Sequence, residues 1–398
     1  MPLTHGTGTQ QPTTTTRTTG TLLFPCSLVA SEEFVSIDEV FDAYYSCRKH
    51  KRNTQSALRF EMNYILECYK LWKELNEQTY TIGTSIAFCV TSPKLREVFA
   101  ADFRDRIVHH LIINKFNTLF EKEMIDDAYA CRKNKGSLYG IKRVQQHMKD
   151  VGKDAWYAKC DIQGFFMSID RKILYNEIES IILINKVDNW EYWLWLIKMV
   201  IMHSPNKNCV LKGDISLWNK LPKNKSLFHT NGRGLPIGNL TSQVFANIYM
   251  SIFDRWITKK LGKEGRYGRY VDDFIIIHPN KQKVLKLVKE SRIWLKKKLK
   301  IKLHPKKLII QQTCKGVRFT GVFIKRNCLY PSKRLVENTY YYINNWDGVS
   351  KQKFQDRMNS RFGLMIHFNS YKLRRRLWRN IKEHKGLIFI NCKKLKVI

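Results

Sequence analysis

Two adjacent aspartates, Asp272 and Asp273, stand inside the apolar run Tyr270-Val271-Asp272-Asp273-Phe274-Ile275-Ile276-Ile277. β-Branched and aromatic residues flank the pair, so the spacing predicts two short strands with the carboxylates at the turn between them. Side-by-side carboxylates repel each other unless a cation lies between them, and a hard, all-oxygen site suits magnesium. A third carboxylate, Asp161, closes the strand-like stretch Trp156-Tyr157-Ala158-Lys159-Cys160-Asp161-Ile162. Meeting the hairpin pair on a neighbouring strand, it would complete a cage for two divalent ions. Such a cage lowers the pKa of an attacking hydroxyl and stabilises a departing pyrophosphate, chemistry that asks little else of the protein. The plainer alternative is an Asp-Asp turn between surface strands. Asp170 precedes Arg171-Lys172-Ile173-Leu174 and reads as a helix N-cap, not as a ligand.

The elements around these carboxylates must hold them in place. Between the acidic segments lies Gly234-Leu235-Pro236-Ile237-Gly238-Asn239-Leu240-Thr241-Ser242-Gln243. Gly238 would let the backbone approach a ligand closely, and Asn239, Thr241 and Ser242 are good helix caps. The helix that follows carries Phe245, Ile248, Tyr249, Ile252, Phe253 and Trp256 at three- and four-residue intervals, which predicts one buried face. Residues 35–78 read as helical, 96–150 as helix with short strands, and 154–325 as alternating strands and helices. The polar stretch from about Pro205 to Gly234 reads as a flexible surface insertion. A helix over Val284–Leu299 leads into Ile301-Lys302-Leu303-His304-Pro305-Lys306-Lys307.

Charge points to the partner. The chain has 70 Lys+Arg against 34 Asp+Glu, a formal charge of +36. That excess marks a polyanion whose phosphates dominate the affinity. Between 281 and 307 there are 12 basic residues and 1 acidic; between 351 and 398 there are 14 and 2. Runs such as Arg374-Arg375-Arg376 sit beside Leu377 and Trp378, giving helices with an apolar face inward and a basic face for a phosphate backbone. The ten cysteines include no Cys-x-x-Cys pair, which speaks against a zinc site or a disulfide framework. No stretch is apolar and long enough to span a bilayer and no secretory signal is visible, so no membrane partner and a cytoplasmic location are expected. Residues 1–30, with Thr13-Thr14-Thr15-Thr16 among Gly and Gln, read as a disordered tail.

Taken in order, Asp161 followed by Phe165-Phe166, the Ile-Gly-Asn-Leu-Thr-Ser-Gln loop and Tyr-Val-Asp-Asp resemble the palm motifs of reverse transcriptases. More narrowly, Ile237-Gly238 and Ser242-Gln243 resemble the branch found in diversity-generating retroelements, where most reverse transcriptases carry Gln before the glycine and Ser-Pro after it. Phe103-Arg104-Asp105-Arg106-Ile107-Val108 and Tyr129-Ala130-Cys131-Arg132-Lys133-Asn134-Lys135-Gly136 look like its fingers motifs. Lys225-Ser226-Leu227-Phe228 resembles the segment before its loop. Asn359-Ser360-Arg361-Phe362-Gly363 and Asn369-Ser370-Tyr371-Lys372-Leu373-Arg374 look like its thumb. The resemblance covers roughly residues 35 to 385.

That resemblance implies an α+β, right-hand polymerase fold: N-terminal helices and fingers over 31–153, an RRM-like antiparallel palm over 154–325, and a basic helical thumb over 326–398. It implies two Mg2+ ions, with Mn2+ as a substitute, held by Asp161, Ile162, Asp272 and Asp273, the three aspartates being catalytic. Arg104, Arg106, Phe166, Ile237, Gly238, Gln243 and one of Lys306 and Lys307 would meet the incoming dNTP. Arg132, Lys135, Tyr270, Arg374, Arg375 and Arg376 would meet nucleic acid. Phe166 would exclude a ribose 2′-hydroxyl, making the product DNA; Phe165 is its neighbour, and only one of the two can face the site. Partners would be template RNA, the cDNA or its primer, dNTPs, and a small basic accessory variability protein of a bacterial or phage-encoded element. Two other readings stay open: a bacterial reverse transcriptase of phage defence, and an RNA-binding protein with an inactive palm.

Overall fold

In a computed structural model of the chain, residues 33–49, 54–92, 94–345 and 350–385 are described. The tail over 1–30 and the last residues of the basic C-terminus lie outside them. From Phe34 onward the described residues form one compact unit.

The fold centres on a four-stranded antiparallel sheet ordered Arg266–Tyr270, Asp273–His278, Trp156–Asp161, Ile309–Gln312. Of its two middle strands, Asp273–His278 is buried on both faces through the apolar run Phe274–Ile277, whereas Trp156–Asp161 is interrupted by Lys159. Alternate residues go to opposite sides. Ala158, Cys160, Phe274 and Ile276 enter the large core with the helices Leu240–Leu261 and Lys281–Lys298. Tyr157, Ile275 and Ile277 enter a second core with Ile141, Val144 and Met148 of the helix Ser137–Val151. The hairpin Val317–Phe319/Val322–Ile324 closes that core and turns through Thr320 and Gly321, both at positive φ.

The helix Leu240–Leu261 departs from the one-faced pattern. Thr241, Ser242, the run from Val244 to Ser251, Phe253 and Asp254 are all buried, so the helix is enclosed nearly all round, and Gln243 in its first turn is exposed. Inside it, Asp254 holds Arg269 of the edge strand in an ion pair with both side chains 0% exposed.

A second sheet pairs Ser85–Val90 antiparallel with Arg96–Ala100 and parallel with Cys209–Lys212. Its third strand comes from the segment read as a flexible insertion. That reading is corrected: Glu97, 0% exposed, accepts hydrogen bonds from Trp218 Nε1, Ser226 Oγ and the Leu227 amide, at 2.8, 2.8 and 2.7 Å. Polar sequence there reflects a short folded segment docked through one buried carboxylate. Before this sheet lie the helices Ile37–Arg48, Gln55–Glu61 and Tyr64–Asn76, the first opened by a Ser36/Glu39 capping box. The long helix Phe103–Glu123 packs against them.

At the C-terminal end, the helices Lys333–Asn344, Lys351–Met365 and Tyr371–Lys385 surround Ile343, Phe354, Met358, Phe362 and Leu377. The strand Leu329–Pro331 pairs with Val322–Ile324, extending the hairpin sheet past residue 325. No helix among the described residues is long and apolar enough to cross a membrane.

Candidate active site

Strand register brings the aspartates together. Asp161 is the direct cross-strand partner of Asp273, and Asp272 occupies the turn beside them. The Ile162 amide donates to the Asp272 carbonyl at 3.1 Å, tying the turn to the end of the neighbouring strand. Val271 takes φ 58°, a left-handed conformation that is costly for a β-branched residue. The segment after Ile301 lies along the other side of Asp161: the Gln163 amide donates to the Lys302 carbonyl, and the His304 amide to the Asp161 carbonyl at 2.7 Å.

Two lysines neutralise the carboxylates. Lys307 Nζ donates to Asp161 Oδ1 and Oδ2 at 2.8 and 3.0 Å. Lys159 Nζ lies 3.0 Å from Asp273 Oδ2. Burial, and then the charge of Asp161, hold the Asp272 carboxyl above its ordinary range, while Lys307 and, less, Arg96 pull the other way. Burial pushes Asp273 up to about 6 against the pull of Lys159. Among the described residues no three His, Cys, Asp or Glu side chains stand together as a metal site. The donor set nevertheless suits a hard cation: it is all oxygen, and Asp273 Oδ1 is buried without a hydrogen-bond partner.

The loop before the long helix faces the second sheet. Gly238 has φ 125°, and a Cβ there would lie 2.6 Å from the Phe99 carbonyl oxygen and 2.9 Å from Val98 Cγ1. The space that a side chain would need at Gly238 is therefore taken by a strand backbone. The Phe99 amide donates to the Ile237 carbonyl at 2.8 Å, and Ile237 packs beside Ala87, Phe99, Met167 and Leu227. Asn239 sits at the N-cap, yet its carboxamide accepts from the Ala101 amide and not from its own helix. Arg171, 5% exposed, donates to the Gly234 carbonyl at 2.7 Å and to Ser204 Oγ at 2.9 Å, fixing the start of the loop.

The profile of the reverse transcriptase family (RNA-dependent DNA polymerase) matches residues 91–324, a stretch holding all three aspartates and the loop. The chain belongs to the reverse transcriptase family. Protein YkfC of Escherichia coli K12 is 22% identical over 277 residues, covering 61% of this chain and 67% of that protein. A putative COX1/OXI3 intron 1 protein of Saccharomyces cerevisiae is 22% identical over 244 residues, covering 59% of this chain but only 24% of its own length. Among solved structures, apo telomerase from Candida tropicalis, truncated from its C-terminal domain, aligns with a TM-score of 0.47 and 14% identity. That alignment covers 63% of this chain and 55% of the telomerase chain. The α+β architecture agrees with the right-hand polymerase fold of this family.

Within this reverse transcriptase, the other residues singled out from sequence separate into groups. Phe165 is 3% exposed and belongs to the core, whereas Phe166 is half-buried, leaving Phe166 as the ring that can face the cleft. Tyr270 is half-buried against the second core, and Gln243 is exposed. Ile162 has a buried side chain, so only its backbone is available to a metal. Arg375 and Arg376 are exposed on the last helix. Lys306 is not the residue at the carboxylates; Lys307 is, and Lys306 turns its amide to His304 Nδ1.

Five cations are occupied elsewhere. Arg104 pairs with Glu74, donates to the Thr81 carbonyl at 3.2 Å and lies over the Tyr80 ring. Arg106 donates to the Ala101 carbonyl at 2.8 Å. Arg132, its side chain 4% exposed, bonds Glu121 and the carbonyls of Ile125 and Ala128, so it braces the chain and is withdrawn from nucleic acid. Arg374 is likewise buried, its Nε donating to Ser370 Oγ. Lys135 reaches the Asp126 carbonyl at 2.7 Å. A basic residue beside an apolar helix position folds inward when a carbonyl or hydroxyl is within reach, and composition cannot tell this from an outward face.

Sequence reasoning passed over Lys159, Arg96, Arg171 and Glu97. A signal existed for Lys159, which stands two residues before Asp161 in one strand and so projects from the same face. For Glu97 the deciding contacts lie across long sequence separations and leave no local pattern.

Proposed function

We propose that this chain is the RNA-directed DNA polymerase of a diversity-generating retroelement, copying a template-repeat RNA into adenine-mutagenised cDNA. The observation that carries the polymerase reading is the cross-strand register of Asp161 with Asp273, with Asp272 in the adjoining turn. Asp161, Asp272, Asp273 and the Ile162 carbonyl would hold two Mg2+ ions. When bound, such ions supply a more acidic 3′-hydroxyl and charge neutralisation at the triphosphate. The protein's own residues orient the partners. Asp161 and Asp272 are fixed by backbone hydrogen bonds at the ends of two strands. Lys307 stands beside Asp161 as a cation for phosphate oxygens, and Phe166 limits the space available to a ribose 2′-substituent.

The mutagenic reading rests on the loop. Ile237 occupies an apolar pocket with Phe99, Met167 and Leu227, where the Gln of most reverse transcriptases would bring a hydrogen-bonding side chain. An apolar residue there loosens control of the nascent base pair. The exposed Arg375 and Arg376, with a net charge of +36, suit template RNA and cDNA, and a small basic accessory variability protein completes the assembly. In this reading 31–153 forms helices and fingers, 154–325 the palm, and 326–398 the thumb, with the site in a cytoplasmic enzyme.

The test is primer extension on RNA with Mg2+ and dNTPs, with and without the accessory protein, followed by sequencing of the cDNA. Errors concentrated opposite template adenines, lost in Asp272→Ala, support the whole reading. Faithful cDNA retains the polymerase and removes the retroelement. No DNA under either condition removes both.

A further inference from the structure

Arg269 lies three residues before Asp272, and every one of its polar groups is committed. Its amide donates to the Asp127 carbonyl at 2.8 Å, and its carbonyl accepts from the Tyr129 amide at 2.9 Å. These bonds lay the segment 127–129 alongside the outer edge of the catalytic sheet, in a parallel bridge centred on Ala128. Gly268 makes this possible, because a Cβ there would run into the Tyr129 hydroxyl.

The side chain runs into the long helix. Nε and Nη2 bond Asp254 at 2.9 and 2.7 Å. Nη1 is shared by two acceptors: Asn247 Oδ1 at 3.1 Å and the Val271 carbonyl at 3.0 Å. Asn247 then uses its Nδ2 to donate to the Ala130 carbonyl at 2.8 Å. Asn247, Asp254 and Arg269 are 2%, 0% and 1% exposed.

A closed path therefore runs from the Ala130 carbonyl through Asn247 and Arg269 to the Val271 carbonyl, and so to Asp272. Val271 is the residue held at positive φ, where a β-branched side chain resists staying. A guanidinium donating to its carbonyl opposes relaxation of that peptide. An ion pair alone would need only Asp254; the third nitrogen and the amide of Asn247 are spent on two backbone carbonyls, one in the turn and one in the 127–131 segment.

We infer that Asn247 and Arg269 are positioning residues: a buried strut that makes the Asp272 turn and the segment Asp127–Cys131 move as one body. The catalytic carboxylate then keeps its place relative to whatever polymer lies against that segment. The kinetic half of this inference rests on the polymerase reading; the structural half does not.

The test compares the full-length wild-type chain with Asn247→Ala and Arg269→Lys, without metal, by hydrogen–deuterium exchange. Asn247→Ala cuts the link to Ala130 but leaves the Asp254 pair, and Arg269→Lys keeps the charge but replaces the planar fork with a single nitrogen that cannot span Asp254, Asn247 Oδ1 and the Val271 carbonyl together. Faster exchange in both 127–131 and 270–273, with the rest of the helix 240–261 unchanged, is the expected result. In primer extension kcat should fall about tenfold while the KM for dNTP stays within about twofold, the signature of a displaced reacting group. Loosening of 127–131 with 270–273 protected as in wild type would overturn the strut, as would an unchanged kcat. Should Asn247→Ala fail to fold, Arg269→Lys carries the same pair of readouts. An inactive wild type would refute the polymerase reading, and the exchange data would still decide on the strut.

Discussion

Lys307 reaches back across 146 residues to place its ammonium within hydrogen-bonding distance of both oxygens of Asp161. The contact selects between two adjacent lysines, since Lys306 makes no such bond and its amide is used in a local turn. In the free protein, Lys307 holds a position where a cation is needed. Lys307→Ala should therefore lower the Mn2+ concentration needed for half-occupancy in a direct binding titration. It should also raise the KM for dNTP and cut kcat about tenfold, a charge-assisted contact being worth roughly that factor. Lys306→Ala should leave all three close to wild type. Equal effects from the two variants would refute the assignment.

Asp273 gives a pH dependence with a definite sign. Its carboxyl, raised from 3.8 to about 6 chiefly by burial, binds its proton more tightly folded than unfolded. Its contribution to stability is therefore complete below pH 4 and is lost as pH rises through 6. Asp273→Asn removes this dependence. In EDTA the variant should gain on wild type across that window, reaching on the order of 3 kcal/mol near neutrality. Thermal melts at half-unit pH steps measure it. Added Mg2+ should narrow the gap by supplying wild type with the missing charge, and a gap that widens with Mg2+ would contradict the placement of Asp273 at a cation site.

Glu97 fixes the 205–234 segment with one carboxylate and three donors. Glu97→Ala should strand those donors, at about 1–3 kcal/mol for each one left unsatisfied. Urea unfolding should register a loss of several kcal/mol by that same estimate, and limited proteolysis should cut first between 205 and 226. Glu97→Gln, which keeps acceptor and volume, should lose less. Cleavage elsewhere would mean that the segment is held by other contacts.

Two substitutions separate sugar selection from fidelity. Phe166→Val should let ribonucleotides into the product by opening space beside the cleft, with dNTP incorporation reduced by about threefold or less, as for a modest change in pocket shape. Ile237→Gln should lower the error rate opposite template adenines without a matching change opposite other bases. Sequencing of products from mixed rNTP and dNTP pools reads both. An Ile237→Gln enzyme with undiminished adenine errors would remove the loop from the account of mutagenesis.

The centre of the sheet is legible from sequence because Phe274–Ile277 is an apolar run buried on both faces and the strands carrying Asp161 and Asp273 have those carboxylates at their ends. Asp170 is legible for a similar reason, its side chain accepting from the Lys172 and Ile173 amides as a local N-cap must. What sequence does not disclose is the fate of long basic side chains. Arg132 and Arg374 carry the same charge as the exposed Arg375, and only the proximity of carbonyls and hydroxyls in the folded chain turns them inward. Gly238 shows the same limit from the other side: its need for space is evident, but the neighbour that fills it, Phe99, comes from a strand far earlier in the chain.

The strand carrying Asp161 lies between two partners that are both made long after it, Asp273–His278 and Ile309–Gln312. On the ribosome, Trp156–Asp161 emerges with two open edges and with Ala158 and Cys160 uncovered on one face, and stays so until the rest of the sheet has been synthesised. A product stalled before residue 273 therefore presents an unpaired strand of the kind that invites aggregation. Folding and catalysis are joined in this way: the pairing that hides the nascent strand is the same pairing that brings Asp161 to Asp273.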